Sequence, residues 1–267
     1  MYVFDRSTPV TVSLRLHRGT AEVVAEERPD AQVEVVAENG GEAVEDFTVT
    51  LEGDTLVVHA PEWTWNWRRT PKVRVRIRVP LDSALAAKSA SADIRATGRW
   101  ASAQADVASA DVSLDEVTGD AFLKAASGDL AAGRVGGSLR ISSSSGGLRV
   151  GDVNGDVNAD TASGDITLRR VGGSLHARTA SGEVEVGLLS RGKARVSTAS
   201  GDVSVGVAAG TGVWLDLDTA SGSTSSDLAM RGGAPAGTPE AALELRVRTA
   251  SGDIDVHRAT GDLRAAA

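Results

Sequence analysis

The sequence contains no cysteine, and this absence excludes two kinds of structure. Without thiols the chain can form neither a disulfide framework nor a thiolate metal site. Its four histidines are scattered along the sequence, so a histidine-rich metal centre is not expected either. We therefore expect no metal ion and no other cofactor.

The sequence also lacks a run of about 18 apolar residues, the length that a membrane-spanning helix needs. The first residues, MYVFDRSTPV, lack the basic flank and apolar stretch of a signal peptide. If Met1 is the native start, we expect a soluble, cytoplasmic protein without a transmembrane segment. The net charge of −8 at pH 7 argues against general nucleic-acid binding, so no nucleic-acid partner is expected.

Aromatic residues make up only 3% of the chain, whereas glycine occurs 30 times. Much of this glycine belongs to a repeat with the motif TASG, and a second series of glycines lies about halfway between the copies. The residue after the repeated serine recurs mostly at intervals of 18, at Ala92, Ala110, Gly128, Gly146, Gly164, Gly182, Gly201, Gly222 and Gly252. The intermediate series is Gly119, Gly137, Gly155, Gly173 and Gly192. Each repeat thus contains two corners.

Between the corners, apolar and polar residues alternate, as in a strand with one buried side. Ile166 and Leu168, for example, alternate with Asp165, Thr167 and Arg169. A half-repeat of nine residues accommodates one short strand and a tight corner but no crossover helix. The sequence therefore predicts an all-β fold, a parallel β-solenoid with about 18 residues per coil. The narrow core of such a fold explains the scarcity of aromatic side chains.

Two parts of the chain depart from this period. Residues 1–80 contain longer alternating strands, and we predict that they form an irregular β cap continuous with the solenoid. Residues 81–267 are predicted to form the repeat solenoid itself. Within it, residues 229–242 are rich in glycine, proline and alanine, and we expect a loop insertion there.

The motifs resemble those of a known family. A strand ends at Val79 and Pro80, and SGD followed by an apolar residue recurs at 127–130, 163–166, 200–203 and 251–254. This pattern resembles the bacterial putative-adhesin family, β-strand-repeat domains of unknown function that are also called toastrack domains. The resemblance covers nearly the whole chain and implies a β-solenoid, but its motifs specify no activity. Members of the family are often attached to membrane segments in envelope-stress systems.

A column of acidic residues follows the corner of successive repeats. It consists of Asp93, Asp111, Asp129, Asp165, Glu183, Asp202 and Asp253. One interpretation is that each carboxylate accepts backbone N–H groups of its own corner. The other is a calcium-binding β-roll, in which stacked carboxylates bind the cation. The sequence lacks the GGxGxD motif of such rolls, and Gly147 and Ser223 interrupt the column. These two features favour the first interpretation.

The segment PEWTWNWRRTP, residues 61–71, and the basic strand after it form the best candidate binding site. Alternating indoles share one side of an extended strand, and aromatic rings beside cations bind anionic ligands or stack on them. The predicted partner-binding residues are Trp63, Trp65, Trp67, Arg68, Arg69, Arg74, Arg76 and Arg78. The alternative is a hydrophobic cap over the end of the solenoid, with the basic strand paired to the acidic stretch 22–54.

A third candidate is a basic stripe on one side of the rod, formed by Arg169, Arg170, Arg178, Arg246 and Arg248. Exposed arginines on strands also serve solubility and protect strand edges, which is the simpler explanation.

The sequence contains no GxSxG, HExxH or GxxxxGK[ST] motif. We therefore expect no enzyme but a non-catalytic scaffold or interaction module, with a protein partner or self-association end to end. The alternative is a ligand-binding or sensing module that uses the Trp/Arg segment 63–78 to bind an anionic lipid, glycan or peptide. A calcium-binding β-roll is the third hypothesis.

Overall fold

The computed structural model describes residues 1–37, 47–61, 72–228 and 242–259. These residues form 22 β-strands that belong to one continuous sheet, and none of them forms a helix. The sheet winds into a parallel β-solenoid, so the predicted fold class is confirmed.

The N-terminal strands include both antiparallel and parallel pairs. Antiparallel pairs join β1 to β3, β3 to β6 and β4 to β5, whereas β2 pairs in parallel with β5, β6 and β7. These strands are β1 (Tyr2–Asp5), β2 (Thr11–Glu26), β3 (Asp30–Ala37), β4 (Thr48–Glu52), β5 (Thr55–His59), β6 (Val73–Pro80) and β7 (Ser83–Ser109). Parallel winding thus begins at β2, and the predicted division at residue 80 stays a prediction.

The regular coils follow, with two strands in each. They comprise β8 (Val112–Val117), β9 (Ala121–Ser127), β10 (Leu130–Val135), β11 (Leu139–Ser145), β12 (Leu148–Val153), β13 (Val157–Ser163), β14 (Ile166–Val171), β15 (Leu175–Arg178), β16 (Val184–Leu189), β17 (Gly192–Ser200) and β18 (Val203–Val207). The last described strands are β19 (Val213–Ser221), β20 (Thr224–Ser226), β21 (Leu243–Ser251) and β22 (Ile254–Arg258).

The coil has two faces. Face 1 contains the strands after the TASG corner, paired in the order β8, β10, β12, β14, β16, β18, β22, β20. Face 2 contains the strands that lead into that corner, paired in the order β9, β11, β13, β15, β17, β21, β19. β7 and β2 are long enough to run across the corner and contribute to both faces.

Alternation along each strand builds the core. Ile166 and Leu168 are at most 1% exposed, and their neighbours Thr167 and Arg169 point to solvent. In register, Ile166 lies between Leu148 and Val184, so aliphatic side chains stack from coil to coil. Trp100 is fully buried despite the narrow core. It lies beside a register shift between Ala96 and Arg99, where the pairing of β7 with β8 becomes irregular.

The coils do not stack in sequence order at the C-terminal end. We expected successive repeats to be neighbours, yet β21 lies between β17 and β19, and β22 lies between β18 and β20. Composition explains the order. Where β22 places Ile254 and Val256 in the core, β20 has Thr224 and Ser226 at the matching positions. The more apolar coil therefore occupies the interior of the stack, and the coil with hydroxyl side chains lies at its end.

Candidate partner-binding surfaces

Groups of the TASG corner form hydrogen bonds that hold neighbouring coils together. Each buried threonine donates its hydroxyl hydrogen to a corner glycine carbonyl of a neighbouring coil, as Thr179 does to Gly164 at 3.2 Å. Gly164 has a φ of +154°, and a Cβ there would lie 2.1 Å from the carbonyl oxygen of Gly146. Glycine is thus required both by the backbone conformation and by the close approach of the next coil. The motif serves the stacking of coils.

The acidic column is also structural, although its bonds differ from those we expected. Each aspartate of the column accepts the backbone N–H of the next coil in the stack and not of its own corner. Asp111 accepts from Asp129 at 2.8 Å, and Asp202 accepts from Asp253 at 2.8 Å. One oxygen of each bonded carboxylate is therefore occupied. Within the described ranges, no group of three or more acidic or histidine side chains is placed to bind a metal ion.

Asp129 has the most extensive contacts in this column. Its Oδ1 accepts the N–H of Gly147 at 2.8 Å, and its Oδ2 pairs with Arg149 at 2.8 Å. The bond from Arg149, followed by the backbone bond from Gly147, holds the pKa of Asp129 below its ordinary value. Arg149 thus compensates one negative charge in a column of like charges.

The predicted basic stripe is wrong, because its members lie on opposite faces. Arg169 and Arg170 belong to β14 on face 1, whereas Arg178, Arg246 and Arg248 belong to β15 and β21 on face 2. A corner of the coil separates Arg169 from Arg178, and the chain passes there from one face to the other. Charges of opposite sign alternate on face 1 instead, with ion pairs Arg99–Asp82 at 2.7 Å and Arg134–Glu116 at 3.2 Å and a further pair between Arg169 and Asp152.

The predicted Trp/Arg site is described only in part. Trp63, Trp65, Trp67, Arg68 and Arg69 lie outside the described residues. Arg74, Arg76 and Arg78 alternate outward along β6. Arg76 lies between Glu22 at 3.3 Å and Glu34 at 3.8 Å, so the basic strand is paired to acids of β2 and β3, as the cap hypothesis expects. Residues 229–241 of the predicted loop also lie outside the described residues.

Face 2 carries a groove that sequence reasoning missed. Its volume is about 560 Å³, and its lining includes His17 and the charged residues Arg15, Lys88, Asp106 and Lys124. Arg15 lies directly opposite Lys88 in the strand register, and Asp106 lies opposite Lys124. These residues come from β2, β7 and β9. Lys88, Asp106 and Lys124 follow each other at the 18-residue period, but Arg15 belongs to β2, which precedes the repeat and joins the groove only through its pairing with β7.

The cations of this groove have no acidic partner within the part of the chain that the structure describes. Arg15, Lys88 and Lys124 make no ion pair there, and their side chains are exposed. Like charges directly opposite each other destabilise a sheet. Ala90, Ala108 and Ala126 follow Lys88, Asp106 and Lys124 by two residues and also line the groove. The groove therefore combines three cations and one acid with small apolar side chains.

His17 connects the groove to the Trp/Arg segment. Its Nε2 lies 2.9 Å from the carbonyl oxygen of Pro61, the last described residue before that segment. In the adjacent strand, His59 Nε2 lies 2.9 Å from the Ser13 hydroxyl. Burial, together with the charge of Arg15, lowers the pKa of His59. Pro61, the last described residue before the Trp/Arg segment, thus contacts a residue of the groove.

A second groove of about 670 Å³ lies beside the first on face 2. Its charged lining residues are Arg140, Asp120 and Asp156. Asp120 and Asp156 accept backbone N–H groups of Ser138 and Ser174, at 2.8 and 2.7 Å. The larger groove therefore has more acidic than basic groups, and the smaller one is the better candidate for an anionic partner.

Comparison with known proteins gives one family. A family model described as Toastrack DUF4097 matches residues 12–257. No curated protein matches the chain. None of the described residues forms a helix long and apolar enough to cross a membrane.

Two solved structures are similar in fold to this chain. One is described as a putative adhesin from Bacteroides fragilis NCTC 9343, with 10% identity, a TM-score of 0.48, and coverage of 96% of this chain and 95% of that chain. The other is described as a putative lipid binding protein from Parabacteroides distasonis ATCC 8503, with 13% identity, a TM-score of 0.48, and coverage of 97% and 96%.

Proposed function

The chain belongs to the Toastrack DUF4097 family, and we propose that within this fold it acts as a non-catalytic interaction module. Its partner is an extended acidic segment of another protein, which binds in the groove lined by Arg15, Lys88 and Lys124. Pro61, the last described residue before the Trp/Arg segment 63–78, contacts the groove residue His17.

The unpaired cations of the groove carry the proposal. Elsewhere on the solenoid, several arginines are paired with acids, as in Arg99–Asp82 and Arg134–Glu116. In the groove, Arg15 and Lys88 are instead neighbours in register, and Asp106 is the single acid of its lining. In a protein with a net charge of −8, such a local excess of positive charge favours an anionic partner.

The shape of the groove favours an extended peptide. Arg15 and Lys88 project from neighbouring strands, which are about 4.8 Å apart, and Lys124 projects beside Asp106, so the row across the strands contains three cations and one acid. Acidic side chains of an extended segment have a comparable spacing along the peptide. The small side chains of Ala90, Ala108 and Ala126 in the lining permit a backbone to approach closely.

The test is a binding titration with a fluorescently labelled oligoglutamate peptide, followed by anisotropy. The wild-type protein is expected to bind, with affinity that falls as salt rises. The double variant Lys88→Gln and Lys124→Gln is expected to bind at least about tenfold more weakly, a loss of about 1.4 kcal/mol. The matched control is Arg195→Gln. Arg195 is an exposed cation of β17 on the same face, about 19 Å from Lys124 by strand spacing.

Three outcomes contradict the proposal. The first is that the peptide does not bind, and the second is that the double variant and the control lose affinity equally. The third is that vesicles of anionic lipid bind through Lys88 and Lys124 whereas the peptide does not, which assigns the groove to a membrane. Turnover of a glycan or nucleotide substrate by the purified protein would show that the module is catalytic, which contradicts the non-catalytic role.

A further inference from the structure

The coil formed by β21 and β22 is inserted between two coils that precede it in the chain. β21 pairs with β17 on one side and β19 on the other, and β22 pairs likewise with β18 and β20. The last described coil of the sequence is therefore not the last coil of the stack. The two coils that flank it form a slot of defined register.

Both walls of the slot bond to the inserted coil through the groups of the TASG repeat. On the β17 side, the Thr249 hydroxyl donates to the carbonyl of Gly201, and the N–H of Asp253 donates to Asp202 at 2.8 Å. On the β19 side, the Thr219 hydroxyl donates to the carbonyl of Gly252 at 3.1 Å. The inserted coil is thus held by the same kinds of hydrogen bond that join the other coils.

Insertion buries most of the apolar surface at this end of the rod. The core residues of the inserted coil, Leu243, Leu245, Val247, Ile254 and Val256, are at most 1% exposed. The end coil is less apolar, because β20 offers Thr224 and Ser226 where the inserted coil offers aliphatic groups. The inserted coil therefore gains far more from filling the slot than from leaving it.

The order of synthesis makes the slot available before its occupant. β19 and β20 are made before β21, and 13 residues, 229–241, connect the two coils. A connection of this length spans up to about 45 Å when extended, so it does not restrict the inserted coil to its own slot. The same coil of a second copy offers identical contacts.

We propose that two copies of this chain associate by exchanging residues 243–258, each copy filling the slot of the other. The interface is the existing β17–β21–β19 register, formed between chains instead of within one. The exchanged dimer keeps every hydrogen bond of the slot and adds no new surface. This proposal is independent of the acidic-peptide site.

The test uses single cysteines, since the chain has none of its own. Ser197 and Arg248 are register partners across β17 and β21, at the separation that suits a disulfide. Two differently tagged copies, one with Ser197→Cys and one with Arg248→Cys, are co-expressed, purified and oxidised. Exchange is expected to give a disulfide-linked heterodimer.

The matched control is the pair Ser142→Cys and Asp160→Cys, again placed in separate copies. These residues are register partners in β11 and β13, which are consecutive coils in the middle of the rod. We expect at least tenfold more heterodimer from the slot pair than from the control pair. A chain with both Ser197→Cys and Arg248→Cys is expected to form the disulfide in either state, within the chain in the monomer and between chains in the exchanged dimer.

Equal, low yields from the slot and control pairs would overturn the proposal, because the double variant shows independently that the slot cysteines can react. Failure of the double variant to form any disulfide, within or between chains, would overturn it too, since the register on which it rests would then be absent.

Discussion

The Thr219 hydroxyl donates to the carbonyl oxygen of Gly252, a residue 33 positions later in the chain, at 3.1 Å. The same bond elsewhere runs from a threonine to a glycine 15 positions earlier, as from Thr179 to Gly164. The repeat therefore specifies which groups bond but not which coil is the neighbour. We infer that the apolar content of each coil determines the order in which the coils stack. The hydrogen bonds do not determine it, because the coil inserted out of sequence order makes the same kind of threonine bond as the others.

The threonine bond contributes measurably to stability. Thr179→Val keeps the side-chain shape, removes the hydroxyl and leaves the Gly164 carbonyl without that donor. We expect the free energy of unfolding to fall by about 1 kcal/mol, measured by urea denaturation. Thr167→Val, on the solvent side of β14, is the control and is expected to change it little. Equal effects of the two variants would contradict a special role for the buried hydroxyl.

The corner glycines tolerate no side chain. In Gly146→Ala, the new Cβ would lie 2.1 Å from the Gly128 carbonyl oxygen, at a φ of +138°. We expect a loss of about 2–4 kcal/mol, because neighbouring backbone must shift and the conformation is strained. Gly212→Ala, where nothing lies within 4 Å of the added Cβ, is the control. A wild-type melting temperature for Gly146→Ala would refute this account of the corner.

The acidic column makes stability depend on pH in the acid range. Asp129 has a lowered pKa, chiefly through Arg149, so its contribution is present above the ordinary value of 3.8 and is lost as pH falls through the lowered one. We expect Asp129→Asn to have a lower melting temperature than the wild type at pH 7. Its melting temperature is expected to fall less than that of the wild type on acidification. Asp218→Asn, which makes no ion pair in the described part of the chain, should keep the wild-type profile.

His59 introduces a second pH dependence, near neutrality. Its pKa is lowered by burial and by Arg15, so the neutral ring stabilises the fold above the ordinary value of 6.5. Stability is expected to decrease as pH falls from 6.5 through the lowered pKa, since the unfolded state then binds more protons. We expect the melting temperature of His59→Gln to depend less on pH between pH 7.5 and 5 than that of the wild type. An unchanged slope would show that His59 is not the titrating group.

The tryptophans distinguish a binding site from a cap. We expect the triple variant Trp63→Ala, Trp65→Ala and Trp67→Ala to bind oligoglutamate more weakly and to melt as the wild type does. Trp214→Ala, at the other end of the rod, removes an indole that is 47% exposed beneath Arg246 and should leave binding unchanged. A lower melting temperature of the triple variant with intact binding would favour the cap.

The period and alternation predicted the fold because both arise from local geometry. Corners such as Gly164 and core positions such as Ile166 recur wherever a coil turns, so the sequence displays them directly. The position of β21 could not be predicted, since it depends on competition among coils for the interior of the stack. The groove was missed because Arg15 precedes the repeat and becomes a neighbour of Lys88 only through the pairing of β2 with β7, although Lys88 and Lys124 lie two 18-residue periods apart.

Hydrogen–deuterium exchange with and without the oligoglutamate peptide tests the proposed groove most directly. We predict slower exchange on binding in β7 around Lys88 and in β9 around Lys124, with no change in face 1 strands such as β14. Protection confined to face 1, or no protection anywhere at saturating peptide, would contradict the assignment of this groove as the partner-binding surface.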